Sequence, residues 1–228
     1  LVFSFFYELR WIDYIHSKKL MPRIFIGVVV GGIGTLLMYT PWTYQIGFTL
    51  DFRSVLLSVA GLYLGAVPTV VAILITVVYR LSLGGEHLFM GVSLIVSSGL
   101  LGIGWRYLLQ KKGIRNTITT LYVFGLLVHF FMLIWPFWLP EEKFLHILKF
   151  IALPVMIIYP VITVLLGLSM NKQLENWQNR KAKERFSESE KRFAKMMQEI
   201  NMFFINLDLD SRIIFCNKYF LSNTGYKE

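Results

Sequence analysis

Cysteine is almost missing from the 228 residues: Cys216 stands alone, which excludes a disulfide framework and a cysteine-built metal site. Charge is scarce as well. Only 16% of residues are charged against 55% hydrophobic, and the mean hydropathy of +0.56 lies outside the range of ordinary soluble domains. Acidic residues are the scarcest, 14 against 23 Lys and Arg, for a net charge of +9. In a soluble chain that excess would suggest nucleic acid. Here the basic residues flank apolar runs, so topology signals and lipid headgroups explain them, and no nucleic-acid partner is expected. His16, His87, His129 and His146 are scattered without metal-ligand spacing. With no catalytic constellation and no cofactor motif, neither enzyme chemistry nor a cofactor is expected of these residues. No cleavable signal peptide is recognisable, and residues 1–7 read as a short apolar stub, the end of a helix cut short.

What the chain has is long charge-free runs, over residues 24–50, 54–79, 88–105, 116–140 and 150–171. About twenty apolar residues cross a hydrocarbon core, so this is a polytopic membrane protein. One helix per run gives five spans. If the C-terminus is cytoplasmic, that count puts Arg10, Lys18, Lys19 and Arg23 outside, against the positive-inside bias. Treating Gly65-Ala-Val-Pro68 as a tight turn between two shorter helices repairs this, because proline removes a helix hydrogen bond and clashes with the preceding turn. Six spans result, at 23–41, 47–65, 69–83, 88–109, 117–139 and 148–170. Residues 1–21 then form a cytoplasmic segment, 22–171 a membrane domain, 172–200 a linker helix and 201–228 a separate C-terminal piece.

Charge reappears where lipid should be. Asp51 and Arg53 open one apolar run and Arg80 closes it, with Gly61, Gly65 and Pro68 between and Gly84-Gly85 just after. A charged side chain deep in a bilayer costs roughly 2.5–3.5 kcal/mol on insertion scales, so such residues face a protein interior or a wet cavity. In the six-span arrangement all three lie in the outer half of the membrane beside Gly84-Gly85, a turn expected to let backbones approach closely. Two arginines against one aspartate favour a polar or anionic small molecule, since arginine offers a fixed fork of donors. The plainer reading is that Asp51 only neutralises Arg53 or Arg80.

Gly27/Gly31 and Gly61/Gly65 stand at GxxxG spacing, as suits close helix packing in membranes. Gly31-Gly32-Ile33-Gly34 imitates a dinucleotide-binding cluster, but it lies inside an apolar span without a βαβ unit. Pro154 and Pro160 are expected to bend or unwind the last span. After Asn171 the composition turns charged, as in a helix leaving the membrane. Phe186, Phe193 and Ile200 recur at seven-residue spacing with Ala182 and Met196, a partial heptad seam interrupted by Ser189. A homodimer through this helix and a solvated linker are both compatible with that pattern. Residues 203–217 then read as strand, tight polar turn and strand, followed by a short helix stopped at Gly225. Cys216 suits a small core position in the second strand.

The run Asp51-Phe-Arg53, Ala60-Gly61-Leu62-Tyr63-Leu64-Gly65, Pro68 and Tyr79-Arg80-Leu81-Ser82-Leu83-Gly84-Gly85 resembles the LytS/YhcK-type membrane receptor domain. So does Ile151-Ala152-Leu153-Pro154-Val155-Met156-Ile157-Ile158, and the resemblance covers roughly residues 22–171. Two departures stand out: Ala66-Val67 replaces a glycine before the turn proline, and an asparagine common after Ala-Leu-Pro is replaced near Tyr159-Pro160. Residues 189–228 resemble the start of a PAS domain, with Asn217 and Gly225-Tyr226 at characteristic places. About 40 residues are present of a fold that needs roughly 100, a piece too small to fold alone.

The resemblance implies an all-α polytopic domain with a signalling helix and an incomplete α/β PAS domain. It also implies a bacterial sensory input module in the inner or plasma membrane, with its C-terminus cytoplasmic. Its output would be a histidine kinase, acting on a response regulator in a two-component system, or a diguanylate cyclase. The alternative reading is a solute-binding transporter subunit, since interrupted helices and midplane polar residues also bind transported solutes.

Overall fold

The computed structural model describes residues 11–15, 19–39, 42–45, 48–50, 52–85, 88–138 and 152–225. The chain divides into two compact units, Leu1–Leu174 and Glu175–Glu228. The first unit is helical: α1 (Trp11–Ile15), α2 (Leu20–Tyr39), α3 (Arg53–Leu64), α4 (Ala66–Leu83), α5 (Leu88–Lys112), α6 (Ile118–Met132) and the start of α7 (Ala152–Glu199). Strands β1 (Trp42–Gln45) and β2 (Phe48–Leu50) form an antiparallel hairpin between α2 and α3.

Four of these helices, α2, α4, α5 and α7, are long and apolar enough to cross a membrane, and α3 and α6 are shorter apolar helices. Their directions follow from which residues meet. On α5, Gly102 lies on Ser58 and Gly61 of α3, Gly99 on Thr69 and Ile73 of α4, and Gly91 on Arg80 of α4. Arg106, a turn beyond Gly102, reaches the carbonyls of Leu62 and Tyr63. Helix α5 therefore runs parallel to α3 and antiparallel to α4, so α3 and α4 are an antiparallel hairpin. Gly27, Gly31 and Gly34 of α2 meet Pro68/Val71, Ile75 and Thr76 in turn, a parallel pairing with α4. In α6, His129 meets Ser54 at one end of α3, and Leu121 and Phe124 pack with Leu62 at the other. Gly167 of α7 lies on Leu121, while Gly125 lies on Pro160 and Thr163. Successive helices thus alternate in direction from α2 to α7.

The split falls where the sequence led us to expect it, and its chemistry differs. The turn is Gly65 alone, with φ +89°, a backbone state that favours glycine. Helix α4 resumes at Ala66, so Pro68 occupies the first turn, where no helical N–H is needed. Ala66 and Val67 are helical as well, and no second glycine is needed there. Pro154 likewise falls in the first turn of α7, and it is Pro160 that lies inside the helix. The start of α3 also differs. It begins at Arg53, and residues 48–50, expected as helix, form the strand β2 instead. Trp42, Thr43, Tyr44, Phe48 and Thr49 are the aromatic and β-branched types that favour strands.

Hydroxyls buried in these helices are satisfied locally. Thr69 donates to Gly65 O, Thr76 to Ala72 O and Thr163 to Tyr159 O, each at 2.8 Å. Returning the hydroxyl to the preceding turn makes a polar side chain tolerable where water is absent.

In the second unit, the rest of α7 carries exposed i,i+3 and i,i+4 pairs such as Lys181–Glu184. Beyond it, β3 (Ile205–Leu207) pairs antiparallel with β4 (Ile213–Cys216), the register running Ile205↔Cys216 and Asn206↔Phe215 with an irregularity before Leu207↔Ile213. Asp208 closes the turn by accepting from the backbone N–H of Asp210 and Arg212. Asn217 is fully buried and joins the pieces. It donates to Ile200 O and Met202 O and accepts from Phe204 N and Phe220 N. The last bond caps α8 (Lys218–Thr224), which Gly225 ends in the left-handed conformation.

Candidate functional site

Because α3 and α4 are a hairpin turning at Gly65, Arg53 at the start of α3 and Arg80 in the last turn of α4 return to the same end of the bundle. At 1.5 Å per residue they stand about 18 and 22 Å from the turn. Their electrostatic settings differ. Arg80 sits at a helix C-terminus, where a cation is favoured, and its Nη1 donates to the Gly84 carbonyl at 2.8 Å. Gly91 makes room for it: a Cβ there would overlap the Arg80 Nε. Arg53 is the first residue of α3, and the Phe52 before it supplies no side-chain cap. A cation at a helix N-terminus gains nothing from the dipole, and with the open N–H groups it makes an electropositive spot suited to an anion. Asp51 lies outside the described residues, as do Glu86 and His87. Gly84 and Gly85 have φ +64° and +95°, yet a Cβ on either would meet nothing within 4 Å. They serve the backbone turn, not the close approach expected of them.

A buried polar group that sequence reasoning passed over lies one step further in. His129 on α6 is fully buried. Its Nδ1 is 2.7 Å from Gly125 O, its Nε2 is 3.4 Å from Ser54 Oγ, and its ring meets Tyr159 edge-on at 4.9 Å. A carbonyl only accepts, so Nδ1 carries the proton and Nε2 faces the Ser54 hydroxyl as acceptor. Tyr159 also meets Phe52, with ring centroids 5.2 Å apart. The cluster thus ties α6 and α7 to the residues flanking Arg53. The four histidines have no metal-ligand spacing. The useful signal was a single histidine inside an apolar span, which by default marks a functional or structural polar site.

At the opposite end, around the end of α3, a second polar group connects the helices. The single Tyr63 hydroxyl proton is shared between Gly167 O and Asn171 Oδ1 at 2.9 and 2.8 Å, and Asn171 Nδ2 donates to Asn116 O at 2.7 Å. Arg106 Nη1 reaches Tyr63 O at 2.7 Å. The end of α3, the α5–α6 connection and α7 are therefore hydrogen-bonded to one another at this end of the bundle.

Between α2, α3 and α7 lies an apolar cavity of about 320 Å³, walled by side chains such as Val30, Leu56, Val59, Ile162 and Leu165. Neither Arg53 nor Arg80 lines it, and its chemistry suits hydrocarbon. Among the described residues no three His, Cys, Asp or Glu side chains could share a metal ion.

Alternating apolar helices, two of them joined at a glycine turn, make a multi-pass membrane domain. The chain belongs to the 5TMR-LYT family, the LytS-type multi-pass membrane receptors: the family model described as the 5TMR of 5TMR-LYT matches residues 6–173. No curated protein and no solved structure matches the chain.

Proposed function

We propose that the protein is the sensory input module of a bacterial signal-transduction protein. In this reading it binds a small polar or anionic ligand at the Arg53–Arg80 end of its bundle and relays the change through α7. The observation that carries the proposal is the α3–α4 hairpin, which returns two arginines to one end, one of them at a helix N-terminus, where an anion is favoured. Family membership favours a receptor over the transporter subunit. The basic residues Lys111, Lys112 and Arg115 beside the inner turn, and those of α7 after Lys172, support a cytoplasmic C-terminus by the positive-inside bias.

In this account the hairpin β3–β4 and α8 begin a PAS domain, with Asn217 fastening it to α7. Phe186, Phe193 and Met196, all exposed on α7, suit a homodimer seam. The output beyond would be a histidine kinase with its response regulator, or a diguanylate cyclase.

The test titrates the purified protein with small monocarboxylates, dicarboxylates and inorganic phosphate and follows the thermal midpoint. At least one anion should raise the midpoint of the wild type. Arg80→Gln should abolish that shift with little change in the unliganded midpoint. Arg53→Lys should weaken it, because lysine keeps the charge and loses the planar fork. If the arginines only neutralise Asp51, the single variants will be poorly expressed and Asp51→Asn/Arg80→Gln will restore the protein. Such a rescue would end the ligand-contact reading.

A further inference from the structure

The inner end of the bundle holds a second cavity, of about 250 Å³, independent of the Arg53–Arg80 end. Its apolar wall comes from Ile12, Ile15, Leu62, Leu109, Ile114 and Leu174, and its polar side from Tyr63, Arg106, Gln110 and Asn116.

Three features of the polar side point the same way. Arg106 spends Nη1 on the Leu62 and Tyr63 carbonyls, and its Nε and Nη2 take part in no hydrogen bond or ion pair. Arg23, in the first turn of α2, is near enough for its charge to act on Arg106, and its Nε is buried without an acceptor. Among the described residues neither of these two half-buried cations has an acidic partner, an arrangement that like-charge repulsion opposes until an anion arrives. The third feature is Asn116 Oδ1, buried against the cavity with no donor. A buried acceptor left unmade costs about 1–3 kcal/mol.

We propose that this cavity binds a phosphate-bearing anion with an attached hydroxyl, as in the headgroup of phosphatidylglycerol from the adjacent leaflet. The remaining fork of Arg106 suits phosphate oxygens, Asn116 Oδ1 accepts from a headgroup hydroxyl, and the apolar wall faces the glycerol and acyl chains. Lys111, Lys112 and Arg115 form an exposed rim that lines no part of the cavity. Because Tyr63 and Asn116 also hold Asn171, occupancy would bear directly on the start of the output helix.

The test is native mass spectrometry of the delipidated protein titrated with phosphatidylglycerol or phosphatidylcholine. The wild type should retain phosphatidylglycerol selectively. Arg106→Gln should reduce retention roughly tenfold, while Lys111→Gln, the same charge change on the exposed rim, should leave it nearly unchanged. Asn116→Leu spares the Arg106 bonds and the Asn116 carbonyl, so it decides the matter if Arg106→Gln fails to fold. It should weaken retention several-fold. Competition with inorganic phosphate separates the sources: displacement at millimolar phosphate assigns the site to the free ion, and resistance assigns it to the lipid headgroup. Equal retention of the two lipids by the wild type, equal loss in Lys111→Gln and Arg106→Gln, or an unchanged Asn116→Leu would each overturn the proposal.

Discussion

Gly102→Val should leave almost no folded protein in the membrane. A Cβ on Gly102 would strike the Ser58 carbonyl oxygen, and one on Gly61 across the same contact would come 2.7 Å from Gly99 O. Backbone meets backbone here, so no rotamer change relieves the clash. Lipid supplies no hydrophobic drive between helices, and close packing must do the work. Overpacking costs about 1–3 kcal/mol in cores that can shift a side chain, and more where they cannot. Gly104→Val is the control, since a Cβ at Gly104 meets nothing within 4 Å. Size-exclusion profiles of the two variants in mild detergent measure the difference. A monodisperse Gly102→Val protein would mean that α3 and α5 do not pack as described.

The second large effect is expected at His129. His129→Ala empties a fully buried site and strips Ser54 of its acceptor, at a cost of about 2–4 kcal/mol. His129→Phe keeps the ring volume against Tyr159 and loses only the hydrogen bonds, so it should cost about 1 kcal/mol. Thermal midpoints of the purified variants give the order wild type, Phe, Ala. Equal midpoints for all three would remove His129 from the structural account.

The helix count was readable because two independent signals conflicted: five apolar runs left the first Lys and Arg cluster on the wrong side, and a sixth helix removed the conflict. The break at 65 was readable for the same reason, although proline drew attention from the residue that makes the turn. Gly65 needs a positive φ, and Pro68 is tolerated only because it falls in the first turn of α4. Residues 42–45 and 48–50 were harder. They are apolar enough to be taken into spans, and only their aromatic and β-branched content marks a hairpin. Arg53 and Arg80 could be brought to one end from sequence once the hairpin was accepted. The side chains that meet across long separations could not. Ser54 and His129 are 75 residues apart, and Tyr63 and Asn171 are 108 apart. Neither pairing has a local spacing that would announce it. Arg106 was taken for a topology signal because it borders a basic loop. Its contact with the end of α3 depends on how α5 lies against the hairpin, which composition does not encode.

Side-specific labelling tests most directly whether six passes separate the Arg53–Arg80 end from the end that holds Tyr63, Arg106 and Asn171. Ser82→Cys and Ile114→Cys, each made in a Cys216→Ser background, report the two ends of the bundle, and native Cys216 reports the second unit. With a membrane-impermeant maleimide on intact cells, Ser82→Cys should react at once. Ile114→Cys and native Cys216 should react only after permeabilisation. Reaction of Ser82→Cys and Ile114→Cys from the same side, or of Cys216 from outside, would contradict the alternating six-helix account.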